Sequence, residues 1–458
     1  MDFIQKFRGA IKIRTDWPAD QAAAGDPQGE AELTAFQDFL PRAWPAFHRT
    51  AERFVLCPYA VAYRWPGRTA PTGDSPVVPI VGDTLPVLLT AHYDVVPVEA
   101  DKWTVDPFGA EMRDGFIYGR GAIDMKNMLA GMLEAADRLV SEGFVPGRDI
   151  WFVFGGDEER TGLLGARRAA DWLAARDVRF AWVLDEGTPV AERYISGVEC
   201  PLALVSIEEK GFLSLCLTAH QEPGHSSRPP RVQAAAILAR ALTRIDTHPF
   251  PWRLVPTAEG FFRRLSSRCS GGTAFLLRHA RTLGPVFFRF FARKPSMAAL
   301  LHTTVAMTRL FGSSADNVMP SEARAIINLR LLQPWTIDTA IKRIQNIIHD
   351  NRVAVSIHGM ATEAVPANPE HAHLTGPGMA ELMAAVNVVF PGVPVLPFIM
   401  TATTDSRHFQ DITGGIFRFN PLRMAPGDLA GMHGHDERVS VENLERCRDF
   451  YRELLRKL

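Results

Sequence analysis

The stretch "PVLLTAHYD", residues 86–94, indicates the fold class of this chain. A short, continuous apolar run of this kind is typical of a strand buried in a parallel sheet. The run ends in His92 and Asp94, which lie two residues apart and would point the same way on an extended chain. One interpretation is a metal-binding histidine that an aspartate holds in one tautomer. The other is a loop histidine beside a turn aspartate, and this stretch alone leaves both open.

Strand-like and helical patterns alternate through the first 200 residues. After "PVLLTAHYD" come "AIDMKNMLAGMLEAADRLV", "DIWFVFGGDEE", "GLLGARRAADWLAAR" and "FAWVLDEG". Strand, helix, strand, helix, strand predicts βαβ units around a mixed, mostly parallel central sheet, and hence an α/β fold.

A second pattern interrupts the first between residues 207 and 361. Its segments read strand, helix, two strands, helix and strand, which predicts a ferredoxin-like βαββαβ domain with two helices on one face of an antiparallel sheet. From about Gly376 the first pattern returns. We therefore expect one domain from residues 1–206 and 362–458, with the second domain, 207–361, inserted into it.

Composition excludes several classes of protein. The 458 residues include 50 Lys and Arg against 51 Asp and Glu, so the chain has no overall basic surface for nucleic acid. No run approaches the roughly 20 apolar residues of a transmembrane helix, and the N-terminal residues do not resemble a signal peptide. The five cysteines are scattered, without C-x-x-C spacing, which favours a reducing, cytoplasmic location over a disulfide framework.

Acidic residues gather at the predicted strand ends. Because ligands bind beyond the carboxyl ends of the strands in open α/β sheets, these side chains should converge there. Clustered carboxylates would repel one another without a cation between them, which predicts a metal site. The acids at the strand ends are Asp94, Asp157, Glu158, Glu159, Asp185 and Glu186. A further acid, Asp124, opens a helix after a glycine-rich turn, and a late "HGHDE" motif carries His433 and His435.

Eight motifs in this order resemble a superfamily of dinuclear zinc hydrolases. It includes aminoacylase, glutamate carboxypeptidase, carnosinase, succinyl-diaminopimelate desuccinylase and carboxypeptidase S. The segments "LDEG" and the long insert before "TTVAMTRLF" resemble the carboxypeptidase S branch most, which includes hydrolases of N-acyl amino acids. The motifs are "AHYDVVP", "GRGAIDMK", "DEERTG", "LDEG", "GHSSRPP", "ADNVMPSEARAIINLRLLQP", "TTDSRHF" and "HGHDE".

The resemblance implies a set of metal ligands. His92 and Asp185 would bind one ion, Glu159 and His433 would bind the other, and Asp124 would bridge the two. The ions would be two zinc ions per subunit, with cobalt or manganese as substitutes. The fold would be zinc-exopeptidase-like, and the peptide bond after the bridging acid would be cis.

The resemblance also implies catalytic and recognition roles. Asp94 would orient His92, and Glu158 would be the general base. From the inserted lid domain, His225 would stabilise the oxyanion, in cis or from the partner of a homodimer formed through that domain. Asn317 and Arg330 would bind the substrate, and the guanidinium can fork onto a carboxylate.

The motif "HGHDE" departs slightly from the pattern of the superfamily. There the histidine is followed by two residues, an asparagine and a glutamate, whereas Asp436 stands in place of the asparagine here. The spacing still favours His433 over His435 as the ligand.

The predicted reaction is amide hydrolysis by a metal-activated water in a small peptide or an N-acyl amino acid. Carboxypeptidase, dipeptidase and deacylase activities all stay open. The alternative is a non-catalytic, metal-binding dimeric scaffold of the same fold, although no predicted ligand or base is missing from the sequence. A dinuclear phosphoesterase is disfavoured because no glycine-rich phosphate loop adjoins the predicted ligands.

One segment of the predicted insertion is unusually rich in Phe and Arg. It runs "GFFRRLSSRCSGGTAFLLRHARTLGPVFFRFFARK", residues 260–294. Its arginines interrupt each apolar run, so it cannot span a membrane. Two interpretations stay open: helices packed on the lid domain, or an apolar wall or interfacial surface.

Overall fold

The chain divides into two compact units in a computed structural model, which describes residues 1–17, 27–68, 85–193, 198 and 200–458. The first unit comprises Met1–Ile207, Ala367–Phe398 and Thr404–Leu458. The inserted unit comprises Glu208–Pro366 and Ile399–Thr403. The sequence-based limits of 207 and 361 lie close to the ends of the long inserted piece, but they omit the short second piece.

The helices are given in chain order. They are α1 Phe3–Lys12, α2 Pro27–Ala43, α3 Pro45–Thr50, α4 Lys126–Ser141, α5 Ala166–Ala174, α6 Ala234–Thr247, α7 Pro256–Leu265, α8 Gly271–Arg278, α9 Gly284–Phe291, α10 Pro295–Ala298, α11 Ile337–Ile348, α12 Met379–Val389, α13 Pro426–Leu429 and α14 Val441–Leu455. Short 3-10 helices are Ala100–Lys102, Ser266–Arg268, His371–His373 and Asp405–Ile412. Among the residues that the structure describes, no helix is both long and apolar enough to cross a membrane.

The strands are also numbered in chain order. They are β1 Glu52–Cys57, β2 Ala60–Trp65, β3 Val87–His92, β4 Met112–Arg113, β5 Phe116–Tyr118, β6 Ile150–Gly155, β7 Val183–Ala191, β8 Leu202–Glu209, β9 Gly211–His220, β10 Gly224–His225, β11 Thr304–Phe311, β12 Val318–Met319, β13 Glu322–Leu331, β14 Val353–Thr362, β15 Val395–Met400, β16 Ile416–Met424 and β17 Arg438–Ser440.

The first unit is built on an eight-stranded mixed sheet in the order β1-β2-β6-β3-β7-β16-β8-β15. The parallel pairings join the four central strands β6, β3, β7 and β16, whereas β1-β2, β2-β6 and β16-β8 are antiparallel. Every residue of β3 and β6 is buried, which is why both strands are continuous apolar runs. Helix α4 is buried along nearly its whole length and packs against α14. The predicted mixed α/β sheet is confirmed, and its parallel part is the centre.

Strand β7 differs from its prediction in where it ends. "FAWVLDEG" was expected to end at Asp185 and Glu186, but β7 continues to Ala191. The strand keeps its pairing with β16, where Asp185 lies opposite Arg418, and the register then shifts before Pro189. These two acids therefore lie inside a strand that is irregular beside them, and not in a loop after it.

The inserted unit contains a four-stranded antiparallel sheet in the order β11-β13-β9-β14. Helix α6 follows β9 and α11 follows β13, which gives the expected strand, helix, strand, strand, helix, strand sequence. Alternate residues of β9, Leu213, Leu215 and Leu217, are buried in a core with Ile344 of α11. Helices α7 to α10 lie between α6 and β11 in sequence, and β10 pairs with β12 in a separate ribbon.

Candidate metal centre

Two neighbouring parallel strands carry two of the predicted metal ligands, His92 and Glu159, to the same edge of the sheet. Strands β3 and β6 pair so that His92 lies opposite Gly155. The residues that follow these two positions therefore meet at one edge of the sheet. His92 is 1% exposed, and Asp94 beyond it is fully buried.

Asp124 lies between two histidines. Its Oδ1 is 3.0 Å from His92 Nε2, and its Oδ2 is 2.9 Å from His433 Nε2. The peptide bond between Asp124 and Met125 is cis, as expected. His433 Nε2 is also 3.2 Å from Glu159 Oε1. One carboxylate thus faces two separate imidazoles, which is the arrangement of a bridging ligand.

These contacts define two clusters of ligand-type side chains that share Asp124. The first contains His92, Asp124 and Glu186, and the second contains Asp124, Glu159 and His433. Within each cluster the candidate ligand atoms all lie within 4.8 Å of one another. Of the two histidines of "HGHDE", His433 lies in the second cluster and His435 lies in neither.

The structure places Glu186, and not Asp185, beside His92. Glu186 Oε1 is 3.6 Å from His92 Nε2. The oxygens of Asp185 accept hydrogen bonds from the backbone N–H groups of Glu186, at 2.8 Å, and Ser406, at 2.7 Å. Adjacent residues of a strand point to opposite faces, so only one of the two acids can face the cluster. We therefore propose Glu186, in place of Asp185, as the acid that shares a metal ion with His92.

Asp94 connects His92 to the loop after β6. The His92 Nδ1–H donates to the backbone carbonyl of Asp94 at 3.0 Å, and an Asp94 carboxylate oxygen lies 3.4 Å from the same nitrogen. Because Nδ1 makes this hydrogen bond, Nε2 is the ring nitrogen that is directed at the cluster. The Asp94 carboxylate also accepts the backbone N–H groups of Glu158 and Glu159, each at 3.1 Å. Asp94 therefore fixes both acids as well as the histidine.

The electrostatics of the clusters fit a bound cation. Burial and then the charge of Asp124 raise the pKa of Glu186 to about 8. Burial also raises the pKa of Glu159, and burial with the charge of Glu186 raises the pKa of Glu158 well above its usual range. Hydrogen bonds to Asp124 and Glu159 raise the pKa of His433 to about 10. Cations between these groups would stabilise the ionised carboxylates and neutral imidazoles that metals bind.

Glu437 holds the backbone around Asp124, a role that the sequence did not reveal. Its carboxylate accepts the N–H groups of Gly121, Ile123 and Asp124 at 3.0, 2.7 and 3.2 Å. It also forms an ion pair of 2.7 Å with Arg120. The acid at the end of "HGHDE" thus ties the late segment that carries the histidine to the early loop that carries Asp124.

Asp436, which departs from the superfamily pattern, anchors the same turn. Its two carboxylate oxygens accept the backbone N–H and the hydroxyl of Thr104 at 2.8 and 3.0 Å. An aspartate therefore serves as an acceptor at the position where an asparagine was expected.

Two other residues without an assigned role lie close to the loop after β6. Arg407, from "TTDSRHF", donates to the backbone carbonyls of Thr404 and Thr161 at 2.7 and 2.8 Å. Its Nη1 is 3.9 Å from the carboxylate of Glu158, so it is a cation near the predicted base. Asp405 is 2% exposed, and Gly155 and Gly162 leave the space for its carboxylate. In the sequence, only the motif "TTDSRHF" pointed to Asp405 and Arg407, because neither residue directly follows the end of a predicted strand.

The predicted recognition residues lie in the inserted unit. Arg330 is on β13 opposite Phe212, and its guanidinium lies 4.7 Å from the centre of that ring. His225 is paired with Val318 across the β10–β12 ribbon, and Asn317 precedes Val318. The backbone carbonyl of Asn317 accepts the N–H of Ser226 at 3.1 Å, so Asn317 and His225 are neighbours.

Comparison with known protein families decides the classification of this chain. The model of the peptidase family M20/M25/M40 matches residues 88–457. The chain belongs to this family. As an M20 peptidase it is an enzyme, a metal-dependent hydrolase of amide bonds.

Relatives of this M20 peptidase cover nearly its whole length. It is 32% identical over 455 residues to the N-fatty-acyl-amino acid synthase/hydrolase PM20D1 of Xenopus tropicalis, covering 99% of this chain and 85% of the relative. It is 33% identical over 433 residues to the probable carboxypeptidase S-like 2 of Dictyostelium discoideum, covering 94% and 80% of the two chains.

Two solved structures share its fold. An M20 metallo-carboxypeptidase from Sulfolobus solfataricus is 17% identical with a TM-score of 0.70, and the match covers 100% of this chain and 99% of that chain. Human carnosine dipeptidase 1 is 16% identical with a TM-score of 0.64, and the match covers 100% and 96%. At these identities the likeness shows the fold alone.

Proposed function

We propose that this M20 peptidase hydrolyses N-acyl amino acids with two metal ions bound at the candidate centre. The observation that carries the proposal is Asp124, whose two oxygens face the imidazoles of His92 and His433. His92 and Glu186 would complete one site, and Glu159 and His433 the other, with Asp124 shared. Imidazole and carboxylate donors suit zinc, with cobalt or manganese as substitutes, so zinc is our proposed native metal.

The side chains around the two sites divide the chemical work. When bound, the ions would polarise the amide carbonyl and lower the pKa of a water molecule enough to make it a nucleophile at neutral pH. Glu158 would accept the proton of this water on a carboxylate oxygen and transfer it to the leaving amine nitrogen. Asp94 would keep His92 in one tautomer and hold Glu158 through its backbone N–H.

The proposed substrate class rests on the relatives and on Arg330. Two relatives carry names for N-fatty-acyl-amino acid and carboxypeptidase S-like activities, and both substrate types end in a free carboxylate. The Nη1 of Arg330 is buried without a hydrogen-bond partner among the described residues. Stacking on Phe212 would present this guanidinium to a carboxylate.

A substrate panel tests the proposed function. Purified protein reconstituted with zinc, cobalt or manganese is assayed for amine release from N-acyl amino acids of increasing chain length, dipeptides and N-acyl amino acid amides. We expect the highest kcat/KM for long-chain N-acyl amino acids. Preference for dipeptides would support a dipeptidase instead, and no release from any compound would contradict the proposal.

Arg330→Ala is expected to raise KM strongly for substrates with a free carboxylate. The lost interaction is a charge-assisted bidentate pair, so the amide analogues should lose much less. Steady-state kinetics on each acid and its amide measures the difference. The matched control is Arg324→Ala on the same strand, which should leave both KM values near wild type. An equal rise in KM for acids and amides would rule out carboxylate recognition by Arg330.

We also propose a homodimer, formed through the inserted unit, in which His225 reaches the partner's active site. His225→Ala and Glu158→Gln should each be nearly inactive alone. After mixing and subunit exchange, activity should recover to about a quarter of wild type, because half of the dimers are hybrids and each hybrid has one intact site. Native mass spectrometry confirms exchange. A fully active monomer, or no recovery after proven exchange, would contradict delivery of His225 in trans.

A reducing, cytoplasmic location is our further proposal. None of the five cysteines, Cys57, Cys200, Cys216, Cys269 and Cys447, forms a disulfide. Cysteines that form no disulfide are typical of proteins that work in a reducing compartment.

A further inference from the structure

The Phe/Arg segment, residues 256–301 of the inserted unit, has an apolar interior of its own. It contains α7, α8, α9 and α10. The rings of Phe262, Phe287 and Phe291 pack together with centroid distances of 4.9–5.0 Å, and all three are buried. The helices of the segment therefore pack against one another through these rings, and the outer faces of the helices need a separate explanation.

The outer face of α9 alternates apolar and cationic side chains. Val286 is 60% exposed and Phe290 is 42% exposed, one helical turn apart. Arg289 and Arg293 are also exposed. Arg289 lies three residues after Val286 on the same side of the helix, and Arg293 lies in the turn just after the helix ends at Phe291. Lys294 places its Nζ 5.4 Å from the Phe290 ring centre. The exposed aromatic ring thus lies among cations.

Helix α8 repeats the combination. Phe275 is 60% exposed, and Arg278 lies three residues later on the same side and is also exposed. The buried residue of this helix is Leu277, so the inner contact does not use the aromatic ring. Two helices of the segment therefore each expose a large apolar side chain beside an arginine.

The segment carries a concentrated positive charge. Residues 256–301 contain eight Lys and Arg residues and one acidic residue, Glu259, although acids slightly outnumber Lys and Arg in the whole chain. Glu259 lies 3.8 Å from Arg281. Among the described residues, Arg278, Arg289 and Arg293 have no carboxylate within ion-pair distance. The surface is therefore complementary to an anionic partner.

We propose that the Phe/Arg segment binds the surface of an anionic phospholipid membrane. At such a surface guanidinium groups meet lipid phosphates, while Phe275, Val286 and Phe290 enter the boundary between headgroups and acyl chains. A second copy of this chain does not suit this surface, because a symmetric contact would place the same cationic face against itself. The apolar groups are separated by arginines, unlike the charge-depleted core of a stable protein interface.

Vesicle flotation of the full-length protein tests the proposal. We expect binding to phosphatidylcholine vesicles that contain about 30% phosphatidylserine, little binding to phosphatidylcholine alone, and loss of binding at about 0.5 M NaCl. The triple variant Phe275→Ser/Val286→Ser/Phe290→Ser should weaken the partition coefficient at least about tenfold. Arg278→Gln/Arg289→Gln/Arg293→Gln should remove the preference for anionic vesicles.

The control variant changes equally exposed apolar residues of the first unit. Val55, Val145 and Val388 are 57%, 43% and 58% exposed, and their triple Ser variant should bind like wild type. Glu158→Gln should also bind like wild type, which separates this proposal from the proposed hydrolysis. Equal binding to both vesicle types, wild-type binding by the Phe275/Val286/Phe290 variant, or binding to poly-glutamate but not to vesicles would overturn the proposal.

Discussion

Glu158→Gln is expected to lower kcat by roughly 10²–10⁴ while the protein keeps its fold and its bound metal. The glutamine is isosteric, and the backbone N–H that Asp94 holds is unchanged. The side chain lies next to Glu159, which belongs to the metal cluster, but Glu158 itself does not. The variant should therefore lose the proton acceptor and nothing else. Steady-state kinetics, metal analysis and a thermal unfolding curve measure the three quantities.

Glu159→Gln is the matched control for this prediction. It changes the neighbouring acid by the same atoms, but it should lower metal content, since Glu159 lies 3.2 Å from His433 in the second cluster. Activity of Glu158→Gln within about tenfold of wild type would reject Glu158 as the general base, because that role is worth at least about 10² in rate. Loss of metal from Glu158→Gln would make it a ligand instead.

Glu186→Ala is expected to abolish turnover and to reduce bound metal from two equivalents to about one. The first cluster would keep only His92 and Asp124, too few protein ligands for a tightly held ion. Inductively coupled plasma mass spectrometry of the dialysed protein gives the metal content. His92→Ala should lose the same ion, and His433→Ala should lose the other.

Asp185→Asn is the comparison that separates the two neighbouring acids. The two carboxylate oxygens of Asp185 accept the backbone N–H groups of Glu186 and Ser406. In the variant an amide nitrogen replaces one of these oxygens, which leaves one of the two N–H groups without its acceptor. We expect two equivalents of metal and a free energy of unfolding lower by about 1–3 kcal/mol. If Asp185→Asn loses metal and Glu186→Ala retains it, the assignment of Glu186 is wrong.

The sequence by itself determined the architecture of this protein. Periodicity alone predicted the α/β sheet and the six elements of the insertion, because each buried face requires its own spacing of apolar residues. The motifs and their order then identified His92, Asp124, Glu159 and His433, all of which the structure brings into the two clusters. These residues lie at or after the ends of strands or within turns, where the local sequence controls the direction of the side chains.

Only the tertiary structure shows which of Asp185 and Glu186 lies beside His92. Asp185 is buried and Glu186 is half-buried in one irregular strand, and nothing local shows which of them faces His92. The choice depends on the register of β7 against β16 and on a backbone N–H from Ser406, 221 residues away along the chain. Glu437 and Arg407 were missed for the same reason, since each acts on a loop more than 240 residues earlier in sequence. Contacts of that range arise from folding, and no spacing in the sequence encodes them.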